Sequence, residues 1–481
     1  MTATNASRPA GDGSHHATTG AVKKLDIKAQ NAKVQSVLSF GVSFGDADST
    51  GTSADAAPTA NIAQTIPPMD AAQPAPPEPC RVPPVELEGH YWTPSDDGYY
   101  SRTARRKASG NYYSTRPARI AAIGLTVPSD LAADLDEATQ QLVAFDSRAA
   151  ERFSAGGRTL GPLSAVLLRT ESTSSSRIEN LTVGARRLAR ESLDGSQGGN
   201  AALVVGNVRA METALEFAQN LSEANILAMH SALLGGNDEW KDRAGRYRDQ
   251  LVWVGVSSAG PRGASHVAPQ PDQVPDCMAD LVAFIDRDDL PILAQCAIAH
   301  AQFETIHPFI DGNGRVGRAL IHAMLRGKGL TSTITPPVSA GILHDTERYF
   351  DALTAYREGD ARPILECFSS AARYAARTGT ELIDTLSAIL DDDADRLHGL
   401  PLRRNALGWR LLPLVVEQPV VNVPYVARVL GVSAASATRA VDQLQRAGVL
   451  VEVSGGKRGR VWEERRVLDA LDEYAEMIRR Q

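Results

Sequence analysis

Twelve residues concentrate the groups able to do chemistry in this chain: His307-Pro308-Phe309-Ile310-Asp311-Gly312-Asn313-Gly314-Arg315-Val316-Gly317-Arg318. His307 can move a proton near neutral pH. Asp311 can hold a divalent cation. The amides of Gly312, Asn313 and Gly314, at the start of a predicted helix, form a seat for an anion. Arg315 and Arg318, three residues apart, can clamp phosphates. Together they suit a polyphosphate ligand with a metal and a proton acceptor beside it. A helix start with incidental charges accounts for a lone Gly or Asp, but not for this whole set.

The flanking sequence must position the loop. Downstream, Val316, Leu320 and Met324 repeat at i, i+4 and i+8, so one helix face is buried while both arginines lie off it. Upstream, Leu290, Leu293, Ala297, Ile298 and Ala301 predict a helix over 290–305. Leu131, Leu135, Leu142 and Phe145 predict another over 129–153. Further helices are expected at 160–171, 175–189, 200–219, 222–234, 271–288, 345–358, 361–377 and 379–395. Residues 250–256 and 266–267, around a turn-rich stretch, predict a β-hairpin. The expected fold is mostly α, with four divisions. Residues 1–85 are read as a disordered tail, 86–127 as an irregular arm, 128–400 as the catalytic domain and 401–481 as a winged helix-turn-helix.

Bulk properties narrow the class. The chain has 481 residues, 43% hydrophobic, with a formal net charge of −7, so any nucleic-acid contact would be local. Its four cysteines are scattered, which argues against zinc ligation or a disulfide framework. No apolar run of about 18 residues exists, and no apolar signal core opens the chain. The expected compartment is the cytoplasm, with no membrane partner.

The loop resembles the signature of the Fic (Fido) family, His-x-Phe-x-Asp/Glu-Gly-Asn-Gly/Lys-Arg-x-x-Arg, at all of its specified positions. The resemblance, over roughly 115–375, implies a Fic-type helical domain whose β-hairpin at 250–269 is a flap that aligns a target segment. It implies that His307 is the general base, Phe309 an anchor in the core, and Asp311 the ligand of Mg²⁺ on the phosphates of ATP. The amides of Gly312, Asn313 and Gly314 and the Asn313 side chain would hold those phosphates, with Arg315 and Arg318 on the β- and γ-phosphates. Relatives that transfer phosphate carry Lys where this chain has Gly314, so the expected reaction is transfer of AMP to a protein Ser, Thr or Tyr. Tyr349 and Phe350 are expected to wall the adenine pocket, while His300 and His322 read as ordinary helix histidines.

A second stretch, Ser175-Ser176-Arg177-Ile178-Glu179-Asn180, is similar to the family's inhibitory helix, Ser/Thr-x-x-x-Glu-Gly/Asn, expected here near 175–189. It implies that Ser175, Glu179 and Asn180 form an inhibitory element in which Glu179 competes with ATP for Arg318. In some relatives this glutamate also supports AMP removal. Residues 420–466 carry eight Lys/Arg against four acids, which permits DNA contact, although the expected recognition helix is poor in base-reading side chains. Expected partners are therefore ATP, a target protein, and DNA or a protein at the winged helix, with a homodimer left open. The second reading is a DNA-binding regulator with a nucleotide-sensing Fic-like domain.

Overall fold

The computed structural model describes residues 79–480 apart from 95–99, 155–160, 239, 256–258, 455 and 457–458. Residues 1–78, most of the expected tail, lie outside them, as do Lys457 and Arg458.

The first described segment is not an irregular arm. Strands β1 (Glu86–Trp92) and β2 (Gly110–Arg116) pair antiparallel, with helix α1 (Arg102–Ala108) between them. Trp92 faces a partner: its Nε1 donates to Ala259 O (2.9 Å), and the Trp92 and Trp253 rings meet edge-on at 5.4 Å. Thr115 Oγ1 also donates to Val267 O. The arm thus supports the hairpin β3 (Trp253–Val254) and β4 (His266–Val267), whose paired register is only two residues long.

Helices build the rest: α2 (Ser129–Ser154), α3 (Gly161–Ile178), α4 (Ala185–Asp194), α5 (Gly199–Glu216), α6 (Glu223–Leu234), α7 (Val274–Ile285) and α8 (Ile292–Ile306). Then follow α9 (Asn313–Gly327), α10 (Val338–His344), α11 (Thr346–Arg357) and α12 (Arg362–His398). Helix α8 is buried from Leu293 to Ile306, which is why its apolar residues run nearly all the way round.

Two expected breaks are absent. The serine-rich end of α3 stays helical because Thr170, Thr173 and Ser176 return their hydroxyls to carbonyls four residues back. The helix stops at Ile178, where Asn180 adopts φ +60. An inhibitory helix over 175–189 is therefore replaced by a helix end, a turn at 179–184, and α4. Likewise α12 runs unbroken for 37 residues through Gly379. A Cβ there would lie 2.5 Å from Phe145 Cζ, so that glycine admits a ring rather than a turn.

The C-terminal unit has α13 (Leu407–Leu411), α14 (Leu414–Glu417), β5 (Val420–Asn422), α15 (Val423–Leu430), α16 (Ala434–Arg446), β6 (Val451–Glu452), β7 (Val461–Glu463) and α17 (Arg465–Arg480). Gly431 at φ +65 turns α15 into α16, Ser433 caps α16, and the strands pair in the order β5-β7-β6. The unit is packed onto the helical domain. Arg177 Nη1 donates to Ala475 O (2.6 Å), Ala185 N to Asp472 Oδ1 (2.8 Å), and Arg186 Nε to Glu463 Oε2 (3.0 Å). Both helices flanking the 179–184 turn are thereby tied to it.

Candidate active site

Helix α8 ends by placing His307 at φ +51, where its N–H closes on Phe303 O at 2.9 Å. A side chain in this left-handed region is uncommon and costs roughly 1–3 kcal/mol, so neighbours must hold it. Arg248, 3% exposed, does so. Its Nε donates to His307 O (2.8 Å), Nη1 to Gln250 O (3.0 Å) and Nη2 to Pro269 O (2.7 Å). Burial lowers its pKa to about 10, so it stays charged at neutral pH. One guanidinium thus joins the loop to both ends of the hairpin.

His230 supports the loop from below. Its ring stacks on Phe309 at 3.8 Å and 7°. Because Nδ1 accepts from Gly245 N (3.0 Å), the other nitrogen is the donor, to Asp311 O (3.1 Å). Burial depresses its pKa to about 4, which keeps this neutral tautomer. Sequence reasoning missed both residues. Arg248 bonds to carbonyls, and His230 reads as a lone polar residue on an apolar helix; neither leaves a pattern.

Gly312, at φ +82, precedes α9 as its N-cap, and a Cβ there would lie 2.6 Å from Leu233 Cδ2. Asn313 differs from the expectation that its side chain grips phosphate. Its Oδ1 accepts from Phe309 N (2.8 Å) and its Nδ2 donates to Phe309 O (2.9 Å), so the amide braces the loop itself. Arg315 Nη2 donates to Asp311 Oδ2 at 2.7 Å. Its Nε and Nη1 are buried without an acceptor among the described residues, a costly arrangement that an anionic ligand would relieve.

Arg318, 1% exposed, is engaged by the end of α3. Nε donates to Ser175 Oγ (2.8 Å), while Nη2 donates to Ser175 O (2.9 Å) and to Glu179 Oε1 (2.8 Å). The Glu179 carboxylate also presses on Gly314, leaving no room for a Cβ there. It therefore lies over the first turn of α9, where an anion would bind. Burial raises the Glu179 pKa, but Arg318 outweighs that and holds it below the ordinary carboxylate value.

Three expectations shift. Tyr349 is 1% exposed, with its hydroxyl bonded to His300 Nε2 (2.8 Å), so it lies beneath the site rather than walling it; Phe350 is the exposed ring, at 52%. His322 Nε2 meets the buried Glu171 at 2.8 Å, a second polar tie between α9 and α3. In the C-terminal unit, Arg460 pairs with Glu452 and Arg466 with Asp392, Asp393 and Glu464, which reduces the charge left for a nucleic acid.

Residues 220–325 match the family described as Fic/DOC family, and the span contains the whole His307–Arg318 loop. The chain thus carries a Fic/DOC domain. A protein adenylyltransferase Fic of Nematostella vectensis is 29% identical over 179 residues, 37% of this chain and 36% of that protein. The protein adenylyltransferase fic-1 of Caenorhabditis elegans is 28% identical over 180 residues, 37% of this chain and 31% of its own length. The match spans about a third of these relatives. Among solved structures, a Fic family protein from Desulfovibrio desulfuricans G20 is similar at 24% identity and TM-score 0.42, over 70% of this chain and 97% of that one. Fic-1 (residues 134–508) from C. elegans aligns at 20% identity and TM-score 0.40, over 53% and 74%.

Proposed function

We propose that this Fic/DOC-domain chain is a protein adenylyltransferase, held in check by Glu179, that transfers AMP from ATP to a hydroxyl of a target protein. The observation that carries the reading is Arg318: a buried guanidinium at an anion-ready helix start, matched by a carboxylate where a phosphate would lie.

The chain's own residues supply the chemistry. The ring contact of His307 Nδ1 with Glu304 O (3.3 Å) places that proton, leaving the Nε2 lone pair as the base. Burial lowers the His307 pKa to about 4, so the ring is neutral at physiological pH. Nε2 takes the proton of the target hydroxyl, and the freed oxygen attacks the α-phosphorus. The bond to the oxygen bridging the β-phosphate breaks, and pyrophosphate leaves. Arg315 and the α9 amides neutralise the departing charge. The short β3 edge, with Val254 exposed, offers a strand for the target backbone.

Mg²⁺ fits this donor set. Among the described residues no group of three or more His, Cys, Asp or Glu forms a closed cage. A single carboxylate completed by phosphate oxygens and water is the ion's ordinary environment. Asp311 would hold it, fixed by Arg315, and the bound ion would neutralise and orient the phosphates. No helix among the described residues is long and apolar enough to cross a membrane; the cytoplasm is the compartment we assign. For the winged unit we favour a protein partner over DNA, given its paired arginines.

Incubating the Glu179→Gly protein with ATP labelled on either the α- or the γ-phosphate tests the reaction class. Label from the α-position alone is expected. Label from the γ-position would identify phosphate transfer instead.

A further inference from the structure

We propose that Glu304 is a positioning residue for the base His307: its carboxylate flanks the Nδ1 edge of the ring and balances the imidazolium formed when Nε2 takes a proton. The inference rests on the adenylyltransferase reading.

Glu304 Oε2 lies 3.7 Å from His307 Nδ1, with the carboxylate side chain 10% exposed. Its other oxygen, Oε1, is buried and accepts no hydrogen bond among the described residues. Space for it exists because position 317 is glycine, where a Cβ would stand 3.1 Å from Oε1. A buried carboxylate with an idle oxygen is an expensive way to fill a core, and an apolar side chain would fill it at lower cost. Its placement makes sense beside a ring that must become positive.

The charges facing the pair agree. Burial raises the Glu304 pKa to about 7; Arg318 and Arg357 favour its anion, and Glu179 opposes it. Toward His307 stand Arg248 and Arg357, which disfavour the imidazolium, Glu179, which favours it, and the ring of His266 at 6.4 Å, which burial keeps neutral. Withdrawal of Glu179 removes a repulsion on Glu304 but also takes an anion away from His307, so Glu304 is then the carboxylate left to balance the base. During transfer the target proton passes to Nε2, Nδ1 keeps its own, and Glu304 remains a carboxylate throughout.

The test compares Glu304→Gln and Glu304→Asp in the Glu179→Gly background, reading the initial rate of AMP incorporation from pH 5.5 to 8.5. Gln is isosteric, so packing is kept while the charge is lost. The expected result is a loss of kcat of about tenfold or more with little change in KM for ATP. The parent rate falls as pH drops through the Glu304 pKa, and in Glu304→Gln that acidic limb disappears. Glu304→Asp, which keeps the charge, retains the limb. Equal rates in Glu304→Gln and its parent overturn the proposal, as does a lower rate with the acidic limb unchanged. If the Glu179→Gly parent itself incorporates no AMP, the adenylyltransferase reading fails first, and this inference with it.

Discussion

Replacing Glu179 with glycine removes one hydrogen bond and one charge from Arg318 and clears the space over Gly314. Arg318 keeps Ser175 Oγ and O, so it stays in place with its outer edge open. A net hydrogen bond to a charged group contributes about 1.5–3 kcal/mol when buried. Arg318 is buried, but the Glu179 side chain is 38% exposed, so solvent screening brings the figure down to about 1–2 kcal/mol. At 1.4 kcal/mol per tenfold, ATP should bind about five- to thirtyfold more tightly, and auto-modification at sub-saturating ATP should rise by at least as much. Fluorescent-nucleotide titration and the initial rate of AMP incorporation read the two effects separately. An unchanged affinity and rate in a folded variant would refute the competition argument. The pH behaviour has a definite sign. Because the folded Glu179 pKa lies below the ordinary glutamate value of 4.5, the ion pair is intact above that value and is lost only as pH falls through the lower folded one. Wild-type protein should therefore stay inhibited at pH 5.5.

Three more substitutions probe the supports. Arg248→Met should lower kcat about a hundredfold, since the αL placement of His307 loses its hold, while ATP affinity changes little; the split of kcat from Kd is the readout. His230→Phe keeps the stack on Phe309 but leaves Gly245 N and Asp311 O without their partner, and should reduce stability in urea unfolding by about 2–4 kcal/mol. Asp472→Ala frees Ala185 N and loosens the turn that carries Glu179, so basal AMP incorporation should rise about two- to fivefold, less than in Glu179→Gly. No rise there would mean that α17 does not restrain the turn.

Much of the site is legible in the sequence because its chemistry is contiguous. His307, Asp311, Gly312, Arg315 and Arg318 are neighbours, and the apolar spacing of Val316, Leu320 and Met324 sets which way the helix faces. The Glu179–Arg318 contact is legible only as a pattern, since Glu179 reaches Arg318 from 139 residues away. What stays hidden depends on the backbone in three dimensions. Arg248 works through carbonyls, His230 through a stack, and Asn313 through both groups of the Phe309 peptide, so residue type alone does not separate loop bracing from ligand binding. The merged α3 shows the same limit: its Ser/Thr run reads as a break, whereas buried hydroxyls satisfied by the preceding turn leave the helix intact. The arm reads as irregular because Trp92 and Thr115 find their partners in the hairpin segment, about 160 residues on.

Intact-mass spectrometry of Glu179→Gly and Glu179→Gly/His307→Ala, each incubated with ATP and Mg²⁺, checks AMP transfer through His307. The first protein should gain the mass of one or more AMP groups and the second none. A mass gain of phosphate, or no gain in the first protein, would contradict it.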